Sequence, residues 1–408
     1  MSELPKEWRT VKLAETGTWL SGGTPFTDEP LYWNGDIPWI SAASLKDFNI
    51  SRSDRCITQL GAHRGTQLIP SGTVLFVVRG MSLKNEFRIG ITSRQVAFGQ
   101  DCKAIVPGPG INGRFLAFAL KARSHEILCM VDEAGHGTGR LPTDLLAKLP
   151  IGLPKFTEQQ TIAEILDALD EEIFAVGKLV TKLRSTYSGL TKQLLDQVNV
   201  PARPLGEFLS TSPRNGFSPV EVDSWTGVVV LGLGCLTDDG FVPRHLKNVP
   251  AKDPRYAGSW VSDGDVLMSR ANTLELVGLV GRYISVGVPC LYPDLMMKLT
   301  PNANVLPRYL EVVLRSGRVR RQLRKVAQGT SESMAKVSAS SVMQLKVQIP
   351  DPVEQNRVLL IVDSMNLQIE AFEDHKAKLA ALKQGLMGDL LKGRVRVMGG
   401  GTERVGTG

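Results

Sequence analysis

Apolar residues recur at alternating spacings of four and three along one stretch of the chain: Ile162, Leu166, Leu169, Ile173, Val176, Val180, Leu183, Tyr187, Leu190 and Leu194. That alternation is an unbroken heptad seam, which predicts a long helix packed through coiled-coil contacts. Pro154 blocks helix before it, and Thr157 with Gln160 three residues on has the form of a capping box. A second stretch carries a related pattern. Met365, Phe372, Leu379 and Leu386 keep one line of its seam apolar, while Lys376 and Lys383 interrupt the other. Short apolar runs cut by glycine and proline, at residues 74–78, 228–231, 266–268 and 276–280, predict strands. Residues 114–131 and 308–326 predict helices.

The two seams belong to an internal repeat. Residues 149–200 lie on residues 345–396 without a gap, with 14 identities in 52 positions; composition alone would give roughly three or four. The matches include Pro154/Pro350, Glu158-Gln159/Glu354-Gln355, Asp167/Asp363 and Gly189-Leu190/Gly385-Leu386. Upstream, Arg114-Phe115-Leu116 matches Arg308-Tyr309-Leu310, and Leu13 and Glu15 match Leu205 and Glu207. Each half is therefore read as a globular unit followed by a long helix. The expected boundaries are 1–153 and 199–349 for the globular domains, 154–198 and 350–397 for the helices, and 398–408 for a disordered Gly-rich tail. The fold class is α+β. Two mixed α/β domains in pseudo-twofold arrangement are separated by two long antiparallel coiled-coil helices, because the seams are most simply buried against each other.

Composition narrows the function without naming it. The 408 residues carry a formal net charge of +7, a moderate basic excess that favours polyanions through counterion release. The five cysteines (Cys56, Cys102, Cys129, Cys235, Cys290) show no CxxC or Cys/His ligand spacing, so neither a disulfide framework nor a metal site is indicated. No run approaches the ~20 apolar residues of a membrane span, and the polar first ten residues are unlike a signal peptide. The expected location is a prokaryotic cytoplasm.

Catalytic motifs are missing. No GxxxxGK[ST] loop and no Asn/Asp-Pro-Pro-Tyr/Phe methyltransferase loop occurs. Gly232-Leu233-Gly234 is followed by Asp238-Asp239-Gly240, whose carboxylates would repel a pyrophosphate. Pro293-Asp294 with Lys298 has Met296 where a nuclease needs a metal-binding acid.

The layout resembles the specificity subunits of type I restriction-modification systems from about Trp8 to Val397. The residues that carry the resemblance are Ser21-Gly22-Gly23-Thr24-Pro25 and Gly35-Asp36-Ile37-Pro38-Trp39-Ile40-Ser41, then a twice-repeated run from small-residue loop to helix. That run stands as 135–140, 145–150, Pro154 and Glu158-Gln159-Gln160, and again as Gly329-Thr330-Ser331, 342–349, Pro350 and Glu354-Gln355-Asn356. The second unit lacks the Gly-Gly-Thr-Pro opening. The resemblance implies two target-recognition domains, each reading one half of a split site in double-stranded DNA. It also implies helices that dock two methylation (M) subunits, with restriction (R) subunits added. It implies no cofactor in this chain: S-adenosylmethionine, Mg²⁺ and ATP belong to those partners. A coiled-coil adaptor with two protein-binding end domains is the alternative that the residues alone leave open.

Three groups are candidates for DNA contact. The first is the basic cluster Arg308, Arg315, Arg318, Arg320, Arg321, Arg324 and Lys325, suited to phosphates. The second is Arg79, Lys84, Asn85 and Arg88, matched with Arg270 and Asn272 in the other half, where arginine and asparagine suit base edges. The third comprises the small-residue loops, with Thr24, Gly135, His136, Thr138, Thr330 and Ser331. The acidic run Asp167, Asp170, Glu171 and Glu172 is expected to face solvent or a protein partner.

Overall fold

Val74–Val77 is apolar at every position and buried on both faces, and it forms the middle of a five-stranded sheet. The order is Gly17–Ser21, Cys102–Pro107, Val74–Val77, Ile89–Thr92 and Asn49–Ile50, antiparallel except for the last pair. This is a computed structural model that describes residues 5–134, 138–327 and 334–397. The chain divides into two units, residues 1–177 with 374–408, and residues 178–373.

The second unit repeats the sheet with shorter strands, in the order Arg214–Asn215, Met296–Leu299, Val266–Ser269 and Val280–Arg282. Each unit also holds a parallel pair, Trp33–Ile40 with Val96–Phe98 and Val229–Leu231 with Cys290–Leu291. Each has an antiparallel pair near its chain ends, Arg9–Lys12 with Pro150–Leu153 and Arg203–Pro204 with Lys346–Val347. The four strands of the second sheet thus each have a counterpart in the first, which adds Asn49–Ile50 as a fifth. The expected strand at 276–280 is corrected: Thr273 O accepts from the Leu276 and Val277 amides, so the chain turns there and the strand begins at Val280.

Two further expectations change. Residues 114–131 form two helices, Gly113–Ala122 and Ser124–Leu128. Residues 308–326 also form two, Pro307–Arg315 and Gly317–Val326. The second break has a local cause. Ser316 leaves helical geometry with ψ 145°, and its side chain accepts from Val319 N to cap the next helix. The buried faces of these helices, Phe115, Leu116, Phe118 and Leu120 in one unit and Tyr309, Leu310, Val313 and Leu314 in the other, complete the cores beside the sheets.

The long helices are Phe156–Gln197 and Pro352–Leu390. Thr157 is not the cap, because the Lys155 carbonyl already accepts from Gln159 N and the helix starts at Phe156. In the first unit Asp170 faces Lys383 at 2.5 Å and Glu172 faces His375 at 3.5 Å. In the second, Arg184 faces Glu373 at 2.7 Å, and Leu194 packs with Val358 and Val362. Numbers fall on one helix as they rise on the other, so within each unit the segments run antiparallel. None of the seam residues Ile162, Leu166, Leu169, Ile173, Val176, Val180, Leu183, Tyr187, Leu190 and Leu194 is exposed, nor is Met365, Phe372, Leu379 or Leu386. Of the two interrupting lysines, Lys376 is exposed, whereas Lys383 is buried between Asp170 and the Phe118 ring. Half of the acidic run turns inward, Asp167 pairing with Arg114 and Asp170 with Lys383, while Glu171 and Glu172 stay exposed as expected, Glu172 facing His375.

One buried side chain in each unit ties the start of its long helix to the globular part. Gln159 Oε1 accepts from Asn112 N at 2.9 Å, and its Nε2 donates to Gly110 O and Pro154 O at 3.1 and 3.0 Å. Gln355 repeats this at 2.8 Å throughout, with Leu306 N, Asn304 O and Pro350 O. Beside each staple an arginine reaches the long helix, Arg114 to Asp167 and Arg308 to Asp363.

Candidate nucleic-acid interface

In the first unit the central strand continues past Val78 into Arg79–Gly80 and the short 3-10 turn Met81–Lys84. Strand Thr138–Arg140 returns against it, with Arg140 directly opposite Arg79 and Gly139 opposite Gly80. A Cβ on Gly139 would stand 2.9 Å from the Leu83 side chain, so glycine is what lets this strand lie flat on the turn. Both arginines are exposed, and neither has a hydrogen-bond or ion-pair partner for its guanidinium among the described residues. Two exposed cations thus sit side by side on one strand pair, with Asp132 opposite Arg140 on its other flank and with Lys84, Asn85 and the half-buried Thr138 next to them.

The second unit builds the same feature from Ala271–Asn272 and Ala335–Lys336, with Lys336 opposite Ala271 and Ala335 opposite Asn272. Hydrogen bonds fix the correspondence. Leu141 N donates to Val78 O, and Val337 N donates to Arg270 O. Arg270 therefore stands where the first unit has Val78, not Arg79; Arg79 corresponds to Ala271, Gly80 to Asn272 and Arg140 to Lys336. The sequence reading missed Arg140 and Lys336. The repeat held the signal, since position 140 falls on 336 at the same offset of 196 as the helices.

Other candidates are engaged inside the protein. Arg88 donates to Glu86 at 2.9 Å and to the Ala42 carbonyl at 3.2 Å, which makes it a brace. Arg270 and Asn272 are half-buried, and the Asn272 side chain accepts from Thr273 N. In the loop at Thr24, the Gly23 amide donates to Phe98 O and Thr66 Oγ1, and Gly23 O accepts from Trp39 Nε1. A Cβ on Gly22 or Gly23 would stand 2.3 or 2.2 Å from a carbonyl oxygen, so close packing of this chain on itself explains the glycines. Thr24 itself is half-buried. Gly135, His136, Thr330, Ser331 and the tail 398–408 lie outside the described residues.

The basic cluster divides. Arg308 binds Glu311 and Asp363, both at 2.7 Å; burial presses its pKa down, but the two carboxylates outweigh it and hold the guanidinium above its usual range. Arg315 donates to Asp238 O at 2.6 Å, Arg318 to Asp196 at 3.1 Å, and Arg320 to Glu275 O at 2.6 Å. These four hold structure together. Arg321, Arg324 and Lys325, on the separate helix Gly317–Val326, are exposed.

Known proteins place this geometry. Residues 5–181 match the family model of the type I restriction modification DNA specificity domain. Residues 5–181 thus form a domain of that family. The chain is 32% identical over 166 residues to the specificity subunit of type I restriction enzyme EcoR124I/EcoR124II from Escherichia coli. That match spans 40% of the chain and 41% of the relative, so it covers about two fifths of that protein's length. The MjaVIII specificity subunit of Methanocaldococcus jannaschii aligns over 97% of the chain and 94% of its own length at 20% identity. Among solved structures, the type I S subunit from M. genitalium covers 96% of the chain and 97% of its own at TM-score 0.58 and 13% identity. A chain from a study of complex assembly and conformational transition of the type I R-M system gives TM-score 0.61 at 18% identity, covering 97% of this chain and all of that one. At these identities the structures speak for the fold. Among the described residues, no helix is long and apolar enough to cross a membrane.

Proposed function

We propose that the chain is the non-catalytic DNA-reading subunit of a type I restriction-modification complex, each unit reading one half of a split target in double-stranded DNA. The observation that carries this is the repeated strand pair: a two-residue extension of the central strand meets the strand after the small-residue loop in both units, with Arg79 and Arg140 in one and Lys336 in the other. The exposed cations neutralise phosphates and supply affinity. Base edges, read by side chains on the neighbouring loops, supply sequence preference. Two methylation subunits dock on the long helices and bring S-adenosylmethionine for transfer to a flipped-out base. Restriction subunits add the ATP- and Mg²⁺-dependent steps. The complex works in the cytoplasm of a prokaryote.

An electrophoretic shift assay over a salt series tests the reading. Affinity for duplex DNA is expected to fall steeply with salt, and Arg140→Ala or Lys336→Ala is expected to lower the slope by about one unit each while weakening all sequences alike. Salt-independent binding, or no preference for any duplex, would favour a protein-binding adaptor.

A further inference from the structure

The first unit holds a second cation that the strand pair does not use. The guanidinium of Arg55 lies 3.8 Å from the centre of the Trp33 ring and 5.1 Å from that of Trp39. Everything that carries it is fixed. Trp33 meets Trp39 edge-on at 5.5 Å and donates through Nε1 to Phe26 O, while Trp39 donates to Gly23 O. The Arg55 backbone is held too: its carbonyl accepts from Trp39 N at 2.9 Å, and its amide donates to Ser53 Oγ, which itself donates to Trp39 O. Arg55 is nevertheless exposed, with no hydrogen-bond or ion-pair partner for its guanidinium among the described residues.

The second unit offers a contrast. Arg255 also lies over an aromatic ring, that of Phe217 at 4.9 Å, but Asp253 holds its guanidinium at 2.6–3.1 Å. Stacking occurs in both units; an unneutralised stacked cation occurs here. The platform also connects to the candidate interface. Strand Trp33–Ile40 runs on into Ala42, whose carbonyl takes a bond from Arg88 and whose Cβ stands 3.8 Å from a Cβ built on Gly80.

From this geometry we infer that Arg55, braced on Trp33, is a base-reading residue that bonds a guanine edge in the half-site of the first unit. Stacking fixes the plane of a guanidinium while leaving its edge N–H groups free, and that edge matches the O6 and N7 acceptors of guanine. A phosphate contact would not require so rigid a mount. Phe26, whose carbonyl takes the Trp33 Nε1 bond, and Leu31, two residues before Trp33, are 67% and 68% exposed and add apolar surface to this part of the unit.

The inference rests on the proposed DNA-reading role, and the experiment separates the two. Binding sites are selected from a randomised duplex library by the full-length chain in its methylation complex, for wild type, Arg55→Gln and Arg55→Lys. Arg55→Gln is expected to relax preference at one or two base pairs of a single half-site by on the order of 10- to 100-fold, with the other half-site unchanged. Arg55→Lys keeps a cation on Trp33 but loses the fork, so it is expected to relax the same positions while melting as the wild type does. Equal weakening on all sequences would make Arg55 a phosphate contact and overturn the inference. So would an unchanged motif in Arg55→Lys. A wild-type protein that selects no motif would overturn the DNA-reading role along with it.

Discussion

Gln159→Leu is expected to destabilise the first unit by about 3–5 kcal/mol, and Gln355→Leu the second by a similar amount. Leucine nearly fills the volume, so cavity formation contributes little. What is lost is the satisfaction of three backbone groups, the Asn112 N–H and the carbonyls of Gly110 and Pro154. Gln159 and Gln355 are 1% and 0% exposed, so water does not replace the missing partner easily. Each unsatisfied buried group costs about 1–3 kcal/mol, and partial relaxation lowers the sum. Urea unfolding followed by tryptophan emission reads the effect for Gln159, since Trp8, Trp19, Trp33 and Trp39 lie in the first unit and Trp225 and Trp260 in the second. A loss below about 1 kcal/mol, within the range of a single ordinary hydrogen bond, would mean that the helix is tied to its unit in some other way.

The second large effect concerns the gap in the target. Four residues inserted in the middle of both long helices lengthen each by about 6 Å, and the unread gap in the DNA site is expected to grow by about two base pairs. Both half-sites are expected to stay as they are, because neither strand pair nor its loops are touched. The measurement is site selection from duplexes that carry the wild-type half-sites at every spacing. Changed half-sites at an unchanged spacing would contradict this expectation.

Much of this was legible in the sequence where one periodic signal dominated. The heptad seam from Ile162 to Leu194 is set by a rule of spacing alone, and no residue on it is exposed. Lys383 departs from the rule as a charge inside the seam. Its partner Asp170 sits on the other helix, and no single-helix pattern points across that distance. The repeat was visible at Glu158-Gln159 and Glu354-Gln355, but identity says nothing of burial, so the two staples read only as matching polar residues. The basic stretch after Arg308 read as one helix because its polar face continues. The Ser316-Gly317 pair broke it, a serine hydroxyl competing locally with the helix ladder. The candidate interface was harder still, because its geometry depends on register. Which of Arg270 and Ala271 corresponds to Arg79 is settled by one backbone bond from Val337, not by residue type.

The most direct test is the methylome of a host strain with and without this gene. The expected result is a two-part methylated motif with a fixed unread gap, present in the parent strain and absent from the deletion strain. An unchanged methylome, or loss of an uninterrupted motif, would contradict the reading of a split target by two units.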